Sequence, residues 1–259
     1  MKVSNAIIYS LIAAGSSLLS YGQDVTGTAA IGYNSLYEFR GVDLGSNMVE
    51  ASASLSTTYE GFGFTASAWY ATVNDNPINT TPNELDLTFG ITKSLGPINL
   101  SGASLGPINL SGGYIYYSFF NATQLNTQEL YLGASSEIVA GITLGATAYY
   151  DIDLYNGWYF DANLSKTFKP CSCVGIVTAV GVDFAEDTKL QAKANGKALD
   201  GYQGFYAMIS VPCALRKDVT LTPYVRYVNA DSKLATDSVN RHTTGQEHVI
   251  GGLKLSLAF

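Results

Sequence analysis

From residue 24 onward the chain alternates apolar and polar positions in short runs separated by turn residues. The last run shows the pattern most cleanly. Val249, Gly251, Leu253, Leu255, Leu257 and Phe259 fall on one face of an extended chain, and Ile250, Gly252, Lys254, Ser256 and Ala258 on the other. That period of two is the mark of a β-strand. Read this way, the chain predicts twelve strands near residues 24–40, 48–59, 62–73, 83–93, 108–119, 127–138, 142–152, 157–168, 174–184, 201–213, 219–229 and 246–259. The same alternation sets the faces. Leu85, Leu87, Phe89 and Ile91 share one face, as do Trp158, Phe160, Ala162 and Leu164, and Val219, Leu221, Val225 and Tyr227. Their alternates are mostly polar: Asp86, Thr88, Gly90 and Thr92; Tyr159, Asp161, Asn163 and Ser165; Thr220, Thr222, Tyr224 and Arg226.

The connections alternate as well. Glu60-Gly61, 139–141, 169–173 and 214–218 are short, whereas 73–82, 185–200 and 230–245 are long. Turns on one side and long loops on the other are the layout of a barrel threaded from the periplasm, and an even strand count fits it. The expected fold is all-β: a closed antiparallel transmembrane barrel of about twelve strands. Aromatic residues near strand ends, Tyr37, Phe39, Tyr59, Trp69, Tyr70, Tyr149, Tyr150, Trp158 and Phe168, are expected in the two interfacial girdles.

Composition agrees with a lipid-facing exterior. Charged residues make up 14% of the chain, against about 25% in soluble proteins. Yet no stretch after residue 22 approaches the roughly 18 consecutive apolar residues of a spanning helix. The net charge of −7 argues against a nucleic-acid partner, which needs a basic patch. Residues 1–22 read as a signal peptide: Lys2, then an apolar stretch from Ala6 to Leu19, then Ser20 and Gly22 as a small-x-small cleavage site. Two segments follow, 1–22 as signal and 23–259 as barrel, placed in the bacterial outer membrane among lipid and lipopolysaccharide. The terminal Phe259 resembles the signal read by barrel-assembly machinery.

Two local features stand apart. Residues 94–103 are repeated at 104–113 with only the last residue changed. An even repeat preserves facing; the second copy is expected in a strand and the first in an enlarged periplasmic turn. Cys171, Cys173 and Cys213 fall at the short-turn end. If Phe184 faces Tyr202, then Cys173 faces Cys213, and a bridge from Cys213 to Cys173 or Cys171 is expected in an oxidising compartment.

Within the first predicted strand, residues 30–45 carry Tyr37-Glu38-Phe39-Arg40-Gly41. This stretch resembles the opening strand of the TorF-like outer-membrane porins, whose core is Tyr-x-Phe-Arg-Gly. Glu84-Leu-Asp-Leu87 and Gly113-Tyr-Ile-Tyr-Tyr117 are similar in style. The resemblance implies a porin-like barrel and transfers no catalytic residue.

The leading functional expectation is passive diffusion of small solutes. Inward candidates by alternation are Glu38, Arg40, Glu50, Asp86, Glu129, Asp161, Asp183, Arg226 and Lys254. Their acidic surplus favours cations; a closed salt-bridge network plugging the lumen is the competing reading. A second expectation is a structural or adhesive barrel, with Lys189, Lys193 and Lys197 offered to lipopolysaccharide phosphates. A third, weaker one is a rim hydrolase using His242 or His248 with Asp231, Asp237 or Ser238. No nucleophile motif supports it, so the protein is expected to be non-enzymatic, without cofactor or metal.

Overall fold

A computed structural model describes residues 24–74, 83–100, 103–120, 122–190, 197–232 and 247–259. The expected signal peptide, Lys193, Asp237, Ser238 and His242 lie outside the described residues. The strands are β1 (Val25–Phe39), β2 (Val42–Tyr59), β3 (Phe62–Thr72), β4 (Glu84–Leu100), β5 (Ala103–Phe119), β6 (Thr127–Val139), β7 (Ile142–Asp151), β8 (Trp158–Cys171), β9 (Val174–Glu186), β10 (Gly201–Ser210), β11 (Val219–Ala230) and β12 (Glu247–Ala258). A two-residue piece, Cys213–Ala214, continues the line of β10. Every strand pairs antiparallel with its sequence neighbours, and β12 pairs with β1. At the seam, the Gly27 N–H donates to the Phe259 carbonyl at 2.7 Å and the Phe259 N–H to the Gly27 carbonyl at 2.9 Å. The sheet therefore has no free edge, as a strand-built membrane span requires.

The apolar faces read from the sequence point outward. Ile91, Trp158, Leu164, Val225, Val249, Leu253, Leu255 and Leu257 are all exposed. The buried polar side chains of the strands include Asn34, Glu38, Glu84, Glu129, Asp151 and Asp183. An outside that is apolar and an inside that is polar invert the soluble arrangement and fit a hydrocarbon surround.

Three turns have a residue-Gly pair with positive φ at both positions: Arg40-Gly41 (53° and 82°), Glu60-Gly61 (48° and 72°) and Ala140-Gly141 (51° and 74°). Positive φ at both central residues is the two-residue hairpin geometry that matches strand twist. Two of these turns lie at the short-turn end. The first lies at the long-loop end and is the main departure from the expected layout. Residues 41–47, expected to be a loop, are instead strand and turn of one continuous β1–β2 hairpin.

The duplicated segment also differs from expectation. Residues 94–100 of the first copy extend β4 and the second copy extends β5, and they pair with each other, Ser94 with Asn109, Leu95 with Ile108 and Asn99 with Ser104. Strict alternation lets one copy serve as partner for the other, with register shifts absorbed around Pro97. Only the end of the first copy serves the connection, between Leu100 and Ala103, and the rest of both copies is strand.

The expected facing of Cys173 and Cys213 is corrected by one bulge. Tyr202 does face Phe184, but the register shifts between Tyr202 and Gly204. Cys213 consequently faces Val174, and the Cys173 carbonyl accepts from the Ala214 N–H at 2.8 Å. All three cysteines are free, and the Cys171 and Cys173 sulfurs lie 3.0 Å apart on the exposed β8–β9 turn. The hydrogen bond with Cys173 lowers the Cys171 thiol from its ordinary range, which favours the attacking thiolate there. Treatment with oxidised glutathione is expected to join Cys171 to Cys173, reducing one glutathione disulfide to two thiols. Differential alkylation with peptide mapping should find those two protected and Cys213 reactive. Protection of Cys213 would show that the bulge does not hold the register.

Candidate functional site

The site is built by the tip of the β1–β2 hairpin. β1 pairs with β12 only from Thr28 to Asn34, and β2 pairs with β3 only from Val49 onward. Residues 35–48 therefore pair almost wholly within the hairpin. At its base the ribbon is tied to the wall by the Gly251 N–H donating to Ser35 Oγ at 2.9 Å and the Asn74 N–H donating to the Ser46 carbonyl at 3.2 Å. Beyond them the ribbon bends. The register slips between Tyr37 and Glu38, Gly45 and Asn47 take positive φ of 140° and 54°, and Asp43 Oδ1 accepts from the Gly45 N–H at 2.9 Å. A bulge with left-handed residues sharpens local twist and re-aims side chains. Here it turns the tip into the lumen, where Val42 and Met48 are each 5% exposed.

Each residue of the Tyr37–Arg40 core then meets a different part of the wall. The Tyr37 hydroxyl donates to Glu84 of β4 at 2.7 Å, and its ring packs on Trp69 of β3 at 5.7 Å. Glu38 accepts from the Gly41 N–H at 2.5 Å, which braces the turn, and from Arg226 of β11 at 2.5 Å. Phe39 meets Tyr117 of β5 edge-on at 6.1 Å. Arg40 donates twice to Glu129 of β6, at 2.6 and 2.8 Å. Its guanidinium also lies over Tyr149 of β7 at 4.8 Å and Tyr159 of β8 at 4.3 Å. The tip thus spans the lumen from the β11 wall to the β6–β8 wall.

Buried ion pairs persist only when their hydrogen bonds are well met. Both pairs meet that demand. Glu129 receives a third bond, from the Tyr117 hydroxyl at 2.8 Å, and the Arg40 and Glu129 side chains are 9% and 5% exposed. Arg226 stacks on Tyr206 at 4.7 Å. The Tyr206 hydroxyl donates to Asp161 at 2.9 Å, and Asn163 donates to the other oxygen of Asp161 at 2.6 Å. Tyr224 bonds Asn34 and lies flat over Gly252, where a Cβ would collide with its ring. Beside the tip, Arg40, Tyr149, Tyr159, Asp161, Asp183 and Met208 help line a cavity of about 540 Å³. A second cavity of about 530 Å³ toward the periplasmic end is lined largely by hydroxyls, including Thr26, Ser56, Thr58 and Thr65.

All nine residues predicted to face inward lie on the inner face or on the inserted tip. Glu38, Arg40, Glu129, Asp161, Asp183 and Arg226 are brought together around the larger cavity. Glu50 stands apart, accepting from the Trp69 indole at 2.7 Å. Asp86 lies beside Glu84, with Oδ1 unpartnered among the described residues. Lys254 sits between Gly32 and Thr222 on the neighbouring strands, with no ion pair among the described residues. The sequence reading omitted Glu84 and Asp151, which are 3% and 2% exposed. Alternation from Asp86 identifies the first; the second sits at a predicted strand end, where phase is least certain. Four residues assigned to the girdles are corrected: Tyr37, Phe39, Trp69 and Tyr149 face the lumen and pack around the tip. Tyr59, Tyr70, Trp158 and Phe168 remain exposed on the outside. His248 lies opposite Val228 with Nε2 buried and unpartnered among the described residues.

A closed twelve-stranded barrel with an apolar exterior and a polar lumen is the fold of outer-membrane β-barrels. Solved structures share this fold. An outer-membrane channel of Pseudomonas putida F1 superposes with a TM-score of 0.55 at 10% identity, over 91% of this chain and 95% of that one. The NanC porin gives 0.50 at 14% identity, over 89% and 98%. The translocator domain of the autotransporter NalP from Neisseria meningitidis gives 0.50 at 15% identity, over 99% and 97%. No protein-family model matches the chain, and no curated protein does.

Proposed function

We propose that this barrel is a narrow diffusion channel for small cationic solutes, restricted by the docked β1–β2 hairpin. The observation that carries the reading is the surplus of carboxyl groups on the inner face. Glu38 and Glu129 are matched by Arg226 and Arg40. Glu50, Asp151 and Asp161 have no cationic partner among the described residues, and Glu84, Asp86 and Asp183 add further carboxyl groups. Rings of acidic side chains favour cations in a confined lumen. The reading is non-enzymatic.

Membership of the TorF-like porins rests on the resemblance of Tyr37-Glu38-Phe39-Arg40-Gly41, and in this chain the side chains from Tyr37 to Arg40 all serve docking. Phe259 is 69% exposed at the seam strand, a placement that supports its recognition by assembly machinery.

A salt-gradient recording in a planar bilayer tests the channel. Purified, refolded protein is expected to give discrete steps with a cation-selective reversal potential. Asp161→Asn with Asp183→Asn is expected to reduce the cation-to-anion permeability ratio by at least half. Anion selectivity in the wild type would refute the acidic-lumen reading. The docked hairpin also favours a second reading, a plugged barrel whose surface loops bind a partner. Silence from a folded barrel, both with and without the hairpin tip, would select it.

A further inference from the structure

Arg40 occupies its place in the wall as a ligand would. Glu129 offers both carboxylate oxygens to the guanidinium, and the Tyr117 hydroxyl holds that carboxylate in position at 2.8 Å. Tyr149 and Tyr159 present ring faces within 5 Å of the guanidinium carbon. These four residues sit on β5 to β8, strands whose pairing is continuous and independent of the hairpin. The tip supplies the occupant and one further ring, Phe39 at 4.7 Å, which leaves with it. A carboxylate aligned for two parallel N–H donors, flanked by aromatic faces, selects a planar delocalised cation over a compact, strongly hydrated ammonium.

We propose that the wall residues Glu129, Tyr117, Tyr149 and Tyr159 form a receptor for solutes bearing a guanidinium group, with Arg40 as a tethered occupant that the solute displaces. Binding of the solute and release of the hairpin are then one event, because both cations need the same two oxygens. The cavity continues from Arg40 to Asp161 and Asp183, so a solute tail with hydrogen-bond donors meets carboxylates there. The inference rests on the reading of the hairpin as a displaceable restriction in a cation channel.

Binding is measured by calorimetry on refolded, full-length protein in detergent micelles, which requires no conductance. Methylguanidinium and methylammonium are the probes. Arg40→Ala vacates the receptor and is expected to bind methylguanidinium at least tenfold more tightly than methylammonium, and at least tenfold more tightly than the wild type does. Adding Glu129→Gln to Arg40→Ala is expected to abolish that preference. Hydrogen exchange on the wild type gives a test that needs no variant: methylguanidinium, and not methylammonium, is expected to accelerate exchange across residues 35–48. Equal binding of the two cations, binding that survives Glu129→Gln, or exchange indifferent to both would overturn the receptor. Selective binding by a barrel that never conducts would instead leave the receptor standing and remove the channel.

Discussion

Excision of residues 37–45 is expected to raise single-channel conductance several-fold. Leu36 and Ser46 face each other in the hairpin register, so an Asn-Gly pair between them restores a two-residue turn of the kind this strand twist favours. The shortened hairpin keeps the ties at Ser35 and Ser46 and the whole paired wall below them. What it loses is the bridge to Glu84, Tyr117, Glu129 and Arg226. A twelve-stranded wall encloses more than the side-chain-filled lumen of an eight-stranded one, so the cross-section freed by the tip becomes conducting. Recording in KCl on a variant that remains heat-modifiable checks this. Unchanged conductance would mean that the tip is not the restriction.

Glu129→Gln is expected to undock the tip without shortening it. The Arg40 guanidinium is enclosed by protein, and removing one partner of a buried pair costs about 3–5 kcal/mol because the remaining charge is left uncompensated. The amide still accepts one hydrogen bond, which places this change near the lower end, about 3 kcal/mol, or roughly two decades in the docked-to-undocked ratio. Recordings should show larger, noisier openings, and amides of residues 35–48 should exchange faster. The double variant Arg40→Gln with Glu129→Gln is expected to dock better than Glu129→Gln alone, since two neutral amides bury no net charge and satisfy each other. That non-additivity is the signature of a direct pair. Identical behaviour of the single and double variants would show that aromatic packing, and not charge pairing, holds the tip.

Both results depend on a feature that alternation alone does not reveal. Tyr37, Glu38, Phe39 and Arg40 continue the β1 pattern, and a strand continuing straight up the wall would place Tyr37 and Phe39 in an aromatic girdle. The bend arises from a bulge, two left-handed residues and the loss of pairing with β12 and β3. These are relations among strands distant in sequence. The Gln203 region is a parallel case. Its bulge moves the partner of Cys213 by one residue, and a single-residue slip changes every facing beyond it. The duplicated segment makes the same point, because two copies differing in one residue carry the same pattern and only their mutual pairing decides how much of each becomes strand.

Local chemistry determined the rest. Period-two alternation with turn residues between runs specified twelve strands, their inner and outer faces, and a polar lumen within an apolar shell, since each of these follows from side-chain direction along an extended chain. It also placed Glu38, Arg40, Glu129, Asp161, Asp183 and Arg226 on the inner side. Which of them neutralise one another, which carboxylates have no cationic partner among the described residues, and which arginine meets Glu129 were decided only in the tertiary structure. Partners such as Arg40 and Glu129, or Glu38 and Arg226, are far apart in sequence and meet only when the barrel has closed and the tip has folded into it.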